Sequence, residues 1–205
     1  MSKGNIAVRV FEIIGNITKK LEFRNIKLSI LNDPSTILYG IIDVINETRI
    51  IVYSDDIQNK IDDIAYIVAD ELGMHHYIKS IADSLKNYGL SVLNPLFVPI
   101  TIVELAKNRV DHECINNSYK YNYNDKYIYV PRIEPLIAKL YNYYKYPYTQ
   151  YSMALFILHQ KRINIKYLES LFKELGLEIN DFYSKVERIR DFFKIFPELS
   201  KYVHK

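Results

Sequence analysis

The chain lacks several residue types that define common classes of protein. It has one cysteine (Cys114), no tryptophan and six glycines among 205 residues. A single cysteine excludes an internal disulfide framework and any zinc site built from cysteines. The glycines stand singly along the sequence, so the chain has no glycine-rich loop of the kind that cradles a phosphate.

Long apolar runs and a strong net charge are also missing. No segment approaches the roughly 18 consecutive apolar residues that cross a membrane. The N-terminal segment carries Arg9 and Glu12 among its apolar residues, unlike a signal peptide. We therefore expect a cytoplasmic protein with no membrane partner. A formal net charge of +3 is too small to favour nucleic acid decisively, and few glycines with many charged residues are typical of thermophiles.

The first half of the sequence predicts an α+β fold. β-rich runs at 26–31, 38–43 and 49–53 are separated by turn-forming residues. The next segment has apolar residues at helical spacing, namely Ile57, Ile61, Ile64, Ala65, Val68 and Leu72. We expect a small three-stranded sheet packed on this helix.

The end of that helix reads Asp70-Glu71-Leu72-Gly73-Met74-His75. In an H-E-x-x-H helix, two histidines one turn apart bind zinc, and the glutamate after the first is the general base. In this frame Glu71 takes the place of the glutamate, whereas Asp70 and Met74 replace the histidines. A thioether is a poor ligand for zinc, so the motif is degenerate.

The order of elements, together with Ala69-Asp70-Glu71-Leu72-Gly73, resembles the ImmA/IrrE-type metallopeptidase domain, a gluzincin-like fold, over roughly residues 5–110. The resemblance implies that Glu71 occupies the general-base position and that a later acid completes the site. Asp70 and His75 are then candidate metal ligands, with Glu104 or Glu113 as the third. Because Met74 stands at a ligand position, we expect no bound cofactor, with zinc as the alternative.

The segment after the motif is predicted to contain a second helix. Pro95 and Pro99 separate the two helices, because proline opposes helical structure. Residues 101–110 are amphipathic, with Glu104, Lys107 and Asp111 along one side. This helix is the expected place for the third acidic ligand. The following residues, His112 to Asn116, match the H-E-x-x-H motif incompletely, since Asn116 replaces the second histidine.

Tyrosine is abundant, with nineteen residues, and many of them lie between 119 and 151. The alternation over 119–130, with a turn at Asn124-Asp125, predicts a β-hairpin. We expect its tyrosines to share one face and Lys120, Asn122 and Lys126 to lie on or near the other. Three interpretations remain open: a cover for the core, a protein-binding patch, or a surface that stacks bases. The candidate interaction residues are Tyr119, Tyr121, Tyr123, Tyr127 and Tyr129.

The last part of the chain is predicted to be a helical module, so we place a domain boundary between 147 and 148. Apolar residues at helical spacing continue to Leu175, and Gly176 is the expected helix stop. The pattern is typical of winged-helix domains and of small dimerisation bundles. In a DNA-binding version, Lys185, Arg188 and Arg190 would contact phosphates, but nearby acidic residues interrupt that face.

Three functions follow from these observations. The leading hypothesis is a non-catalytic, metallopeptidase-like protein with a regulatory or protein-interaction role, acting with a protein partner or as a homo-oligomer. The first alternative is a metal-dependent hydrolase that uses an atypical site of Asp70, Glu71 and His75. The second is a DNA-binding regulator that uses the C-terminal module.

Overall fold

A computed structural model describes residues 3–96 and 98–195, with side chains from 6 to 96 and from 98 to 191. The chain divides into two compact units, the first ending at Arg132 and the second beginning at Ile133. The division falls earlier in the chain than the expected boundary at 147, because the helix that begins at Ile133 packs on the helices after it.

The first unit is a mixed α and β structure. Its helices are α1 (Lys3–Phe23), α2 (Asp33–Leu38), α3 (Ile57–Glu71), α4 (Ile78–Tyr88) and α5 (Arg109–Asn116). Its strands are β1 (Lys27–Asn32), β2 (Glu47–Tyr53), β3 (Leu90–Leu93), β4 (Ile100–Leu105), β5 (Ser118–Tyr123) and β6 (Lys126–Pro131). The expected α+β class is confirmed.

The main sheet has four strands in the order β1-β2-β4-β3, one more than the sequence predicted. β2 is antiparallel to β1, with Ile30 opposite Ile50, and parallel to β4, with Ile50 beside Val103. β3 pairs antiparallel with the far side of β4. The parallel pair is possible because α3, α4 and β3 form the long connection between β2 and β4.

The strand predicted at 38–43 is wrong, because the chain forms helix α2 up to Leu38 and then turns. Pro34 stands in the first turn of α2, where its missing N–H costs nothing. The hydroxyl of Ser35 donates to the carbonyl of Ile30 and ties the helix to β1. Gly40, at φ 76°, reverses the chain after the helix.

The helix predicted at 101–110 is also wrong, because residues 100–105 form β4. Thr101, Ile102, Val103 and Leu105 are all buried, and Val103 and Leu105 belong to the core beneath the sheet. Pro95 and Pro99 therefore lie between two antiparallel strands and not between two helices. The helix in this region, α5, begins only at Arg109, after Asn108 caps it by accepting from the N–H of Asp111 at 2.9 Å.

One face of the sheet is covered by helices α1, α3 and α4. Buried residues of all three helices, such as Ile17, Ile64 and Leu85, join Ile50 and Val103 of the sheet in one core. The predicted packing of the motif helix on the sheet is therefore present. This packing fixes the neighbouring, antiparallel positions of α1 and α3, which build the candidate site.

The second unit contains helices α6 (Ile133–Asn142), α7 (Tyr148–His159), α8 (Ile165–Glu174) and α9 (Ile179–Ile195). Its centre is a cluster of rings in mutual contact, formed by Tyr141, Phe156, Phe172 and Phe182. Gly176 follows α8 at φ 66°, as the sequence predicted. No β-strand lies among the described residues 133–195, so these residues lack the β-hairpin wing of a winged-helix domain.

Residues 196–205 lie outside the described part of the chain. Within it, no helix combines the length and the apolarity needed to span a membrane.

Candidate functional site

The degenerate motif lies where α3 ends. The helix stops at Glu71, Gly73 adopts φ 67°, and the N–H of Met74 returns to the carbonyl of Ala69 at 2.7 Å. This hydrogen bond from the second residue past the C-cap Leu72, with a left-handed glycine before it, is a Schellman-type stop. His75 therefore stands in a 3-10 turn and not one helical turn beyond Glu71.

The carboxylates of Asp70 and Glu71 converge on a lysine of α1. Lys20 Nζ lies 2.7 Å from Asp70 Oδ2 and 2.6 Å from Glu71 Oε1. Asn16, one turn earlier on α1, donates its Nδ2 to Glu71 Oε2 at 2.9 Å. We call these four residues the carboxylate–lysine cluster. Its geometry is that of a closed charge network with an ammonium at its centre.

The cluster shifts the pKa values of Lys20 and Asp70 in opposite directions. The hydrogen bond to Asp70, followed by that to Glu71, raises the pKa of Lys20 well above its ordinary value. The hydrogen bond from Lys20 lowers the pKa of Asp70. Both groups are therefore charged near neutral pH, and the Glu71 side chain is only 12% exposed.

The two residues after Gly73 do not complete a metal site. Met74 is partly buried and packs against the core. His75 has a side chain that is 59% exposed, and its Nδ1 lies 3.9 Å from Asp70 Oδ1. Two ligand atoms of a tetrahedral zinc ion lie about 3.3 Å apart, so this pair is only slightly too wide, but within the described residues no third ligand joins it.

Glu104 and Glu113, the candidate third ligands, are engaged elsewhere. Glu104 lies on β4 and accepts from Arg49 Nη1 at 2.8 Å. Glu113 lies on α5, where it accepts a hydrogen bond from Asn117 and lies 3.9 Å from Arg109. Throughout the described residues, no three His, Cys, Asp or Glu side chains are placed to hold a metal ion. The donor set therefore does not fit the zinc that the resemblance implies.

Two open clefts flank the carboxylate–lysine cluster. One, of about 710 Å³, runs between α1 and α3 and has Phe23 and Tyr66 on its walls. The other, of about 510 Å³, lies between the end of α3 and the segment around Pro95. Asp70 and Glu71 line both clefts, so the cluster is accessible although Glu71 itself is mostly covered.

The hairpin predicted at 119–130 is present as β5 and β6, with Asn124 and Asp125 as its two-residue loop. The prediction that its tyrosines share one face is wrong. The register places Tyr121 opposite Ile128 and Lys120 opposite Tyr129. Because directly opposite residues share a face, the tyrosines of β5 lie on one face and those of β6 on the other.

The five tyrosines have different environments. Tyr119 and Tyr121 are 56% and 43% exposed. Tyr123 packs against the ring of Phe11 on α1, with 5.5 Å between ring centroids. Tyr127 and Tyr129 both donate their hydroxyls to the carboxylate of Glu22.

These contacts leave only part of the tyrosine set available to a partner. The hydrogen bond to Glu22 raises the pKa of Tyr127, and burial together with the same carboxylate raises that of Tyr129. Three of the five tyrosines thus serve to anchor the hairpin on α1, and Tyr119 and Tyr121 form the open part.

The basic residues proposed for DNA contact are mostly engaged with neighbours in the second unit. Lys185 Nζ lies 2.6 Å from Asp181 Oδ2 and 2.9 Å from the hydroxyl of the buried Tyr141. Arg190 pairs with Glu187 at 2.6 Å. Arg188 lies on the same helix and is exposed. Ion pairs within α9 therefore reduce the net positive charge on this face of the helix, as the mixed charges of the sequence indicated.

Sequence reasoning missed a buried polar network at the start of β2. Asp33, 2% exposed, accepts the backbone N–H groups of Asn46 and Glu47 at 2.7 and 2.9 Å. Asn32 donates to the carboxylate of Glu47. Burial raises the pKa of Asp33. The sequence marked Asn32-Asp33-Pro34 only as turn formers, and nothing in it indicated that the carboxylate is buried.

Comparisons with known proteins do not assign a family. No family model matches the chain, and no curated protein matches it. Among solved structures, an antigenic nucleotidyltransferase-like protein from Paracoccidioides brasiliensis aligns with 84% of this chain and 94% of its own, at 13% identity and a TM-score of 0.40. A TM-score of that size supports no inference about fold or activity.

Proposed function

We propose that this chain is a non-catalytic protein of the metallopeptidase-like type, with a role in protein interaction. The observation that supports the proposal is the position of Lys20, whose ammonium lies within 2.7 Å of both Asp70 and Glu71. An ammonium from the chain itself thus pairs with the two carboxylates that the resemblance would assign to a metal ligand and to the general base.

The chemical argument concerns the state of Glu71. A general base of this kind takes a proton from a metal-bound water, so it needs both the metal and a free carboxylate oxygen. Here Oε1 faces Lys20 and Oε2 accepts from Asn16. A catalytic zinc site also needs three protein ligands and an open position, whereas the described residues bring no such set together.

The interaction role is supported by the exposed part of the hairpin. Tyr119 and Tyr121 offer ring surface to the solvent, and Lys120 and Asn122 between and beside them are also exposed. Tyrosine gives a large contact area with few rotatable bonds, which is why binding surfaces are rich in it. The hairpin is held against α1 by Tyr127 and Tyr129, so this surface is anchored.

Zinc content and peptide hydrolysis, measured on the same preparation, test the proposal. The chain is incubated with equimolar zinc, passed through gel filtration and assayed by elemental analysis and on a library of unstructured peptides. We expect neither retained zinc nor zinc-dependent hydrolysis. Glu71→Gln should behave as the parent chain does.

A hydrolase would give a different pattern. One zinc per chain, with hydrolysis lost in Glu71→Gln and retained in Asp62→Asn, would overturn the proposal in favour of the atypical metal site. Asp62 is a suitable control because it lies on the same helix, its side chain is 74% exposed, and it pairs with Lys86.

A further inference from the structure

Strand β5 has one open edge. It pairs with β6 along its whole length, from Ser118 opposite Pro131 to Tyr123 opposite Lys126. Within the described part of the chain, the other edge of β5 has no strand beside it and no backbone hydrogen bond to another segment. The exposed N–H and C=O groups of such an edge are a template for one more strand.

The hairpin carries a net positive charge of its own, and the Glu22 carboxylate of α1 is bound by Tyr127 and Tyr129 of β6 and not by β5. Residues 118–132 contain three basic side chains, Lys120, Lys126 and Arg132, and one acidic side chain, Asp125. Lys120 is exposed and stands near the middle of β5. Side chains of a strand added to this edge would lie beside those of β5, so acidic residues are favoured and basic residues are disfavoured.

One of the two exposed rings is less suited to stacking with bases. The guanidinium carbon of Arg132 lies 5.5 Å from the ring centroid of Tyr119. Because binders of single strands use open aromatic faces, the cation beside Tyr119 favours an edge-on partner over a stacked nucleic acid.

From these observations we propose that β5 accepts an extended acidic segment of a partner protein as an added third strand of the hairpin sheet. The inference rests on the proposed interaction function and specifies its surface and the chemistry of its partner. Backbone hydrogen bonds along β5 provide the register, Tyr119 and Tyr121 provide contact area, and Lys120 selects for negative charge.

A second copy of the chain is a poorer occupant of the same edge. Pairing β5 with itself would bring two groups of three basic residues together, each with a single acid. Like charges that face each other across adjacent strands destabilise the pair.

The experiment uses the full chain and a synthetic probe. The probe is a capped octapeptide of alternating glutamate and valine, titrated at low salt while backbone amide shifts are recorded by NMR. We expect saturable shifts at Ser118–Tyr123. A lysine–valine octapeptide of the same length should cause none, because it carries the opposite charge.

N-methylation of the probe distinguishes strand addition from charge attraction alone. Methyl groups on every second residue block one edge of the peptide, and methyl groups on the other residues block the opposite edge. Because only one edge can face β5, one methylated probe should lose binding and the other should retain it. Equal binding by both methylated probes would overturn the strand-addition geometry.

Charge reversal tests the role of Lys120. We expect Lys120→Glu to weaken binding of the acidic probe about tenfold at low salt, through the loss of one favourable pair and the gain of a repulsive one. Lys79→Glu changes the net charge equally on an exposed position of α4 and should leave the affinity within about twofold, since screening weakens distant charges.

The remaining outcomes decide between partners. Shifts at Ser118–Tyr123 with a ten-residue oligothymidylate but not with the acidic peptide would replace the proposal with nucleic-acid binding. Concentration-dependent self-association that broadens the same amides would replace it with a second copy. Absence of shifts with every probe at millimolar concentration would refute the inference and leave the zinc and hydrolysis results, on which the broader function depends, unaffected.

Discussion

Lys20 Nζ lies 2.6 Å from Glu71 Oε1, and the two residues come from different helices. The ammonium belongs to a side chain of the protein, so a chelator cannot remove it as it would remove a metal ion. Its effects on stability and on pH dependence are therefore measurable without any ligand.

Removing the ammonium should destabilise the first unit modestly. In Lys20→Met, the mostly covered Glu71 carboxylate loses its closest positive partner. We expect a loss of about 1 kcal/mol in the free energy of unfolding, measured with urea at pH 7 and low salt, because the pair is only partly shielded from water. Lys19→Met is the matched control, since Lys19 is its exposed neighbour on α1. A control that loses as much stability as the variant would contradict this role.

The effect of Lys20 should depend on pH in a defined direction. The folded state lowers the pKa of Asp70, so the stabilisation from Asp70 exists above its unfolded pKa near 4 and is lost as pH falls through the folded value. The folded state raises the pKa of Lys20, so its stabilisation exists below about 10.4 and is lost as pH rises through the folded value.

Unfolding free energies of the parent chain and Lys20→Met, measured from pH 3 to pH 11, should therefore differ most between about pH 5 and pH 9. The difference should shrink at both ends. A difference that stays constant across the whole range would mean that the methionine acts through packing and not through charge.

Asp33 should show the opposite pH dependence. Burial raises its pKa, so the ionised form costs stability as pH rises from about 4 toward the folded value. Asp33→Asn keeps an oxygen that can accept from Asn46 and Glu47 and removes the charge. We expect the asparagine variant to gain stability relative to the parent between pH 3 and pH 7.

Asp33→Ala gives the contrast for that experiment. The alanine variant removes the acceptor of two backbone N–H groups, and we expect a loss of about 1–3 kcal/mol at every pH in the range. Equal loss by the asparagine and alanine variants would show that the carboxylate itself, and not its hydrogen bonds, maintains the turn before β2.

The ring cluster should dominate the stability of the second unit. Phe182 is fully buried and contacts Tyr141, Phe156 and Phe172. We expect Phe182→Ala to cost about 3–5 kcal/mol, because it leaves a cavity among rigid rings. Lys166→Ala, at an exposed position of α8, should change stability by less than about 0.5 kcal/mol. Guanidinium unfolding followed by tyrosine fluorescence gives both values.

Local signals in the sequence predicted the elements that depend on neighbouring residues. The hairpin at Asn124-Asp125, the helical stripe that begins at Ile57 and the stop at Gly176 all follow from spacing and turn chemistry. The prediction that the motif helix continues through His75 was wrong, because the helix ends at Glu71. Strand β4 was missed because Glu104, Lys107 and Asp111 imitate a helical face. It is only six residues long, and its strand character depends on pairing with β2, which is distant in sequence.

Only two of the four residues of the carboxylate–lysine cluster were predicted from the sequence. Asp70 and Glu71 were identified from their motif, but Lys20 and Asn16 are unremarkable in the sequence of α1. They reach the carboxylates only because α1 and α3 pack antiparallel on the same sheet. An ion pair between helices has no local signature, whereas a motif within one helix does.

The parallel pairing of β2 with β4 also affects how the chain is made. During synthesis, β2 can pair with β1 as soon as Tyr53 has left the ribosome, but its other edge stays open until Leu105 has emerged. Between those two moments the nascent chain exposes Ile50, Ile51 and Val52, which are fully buried in the finished fold. An unpaired apolar strand edge of this kind promotes aggregation and chaperone binding.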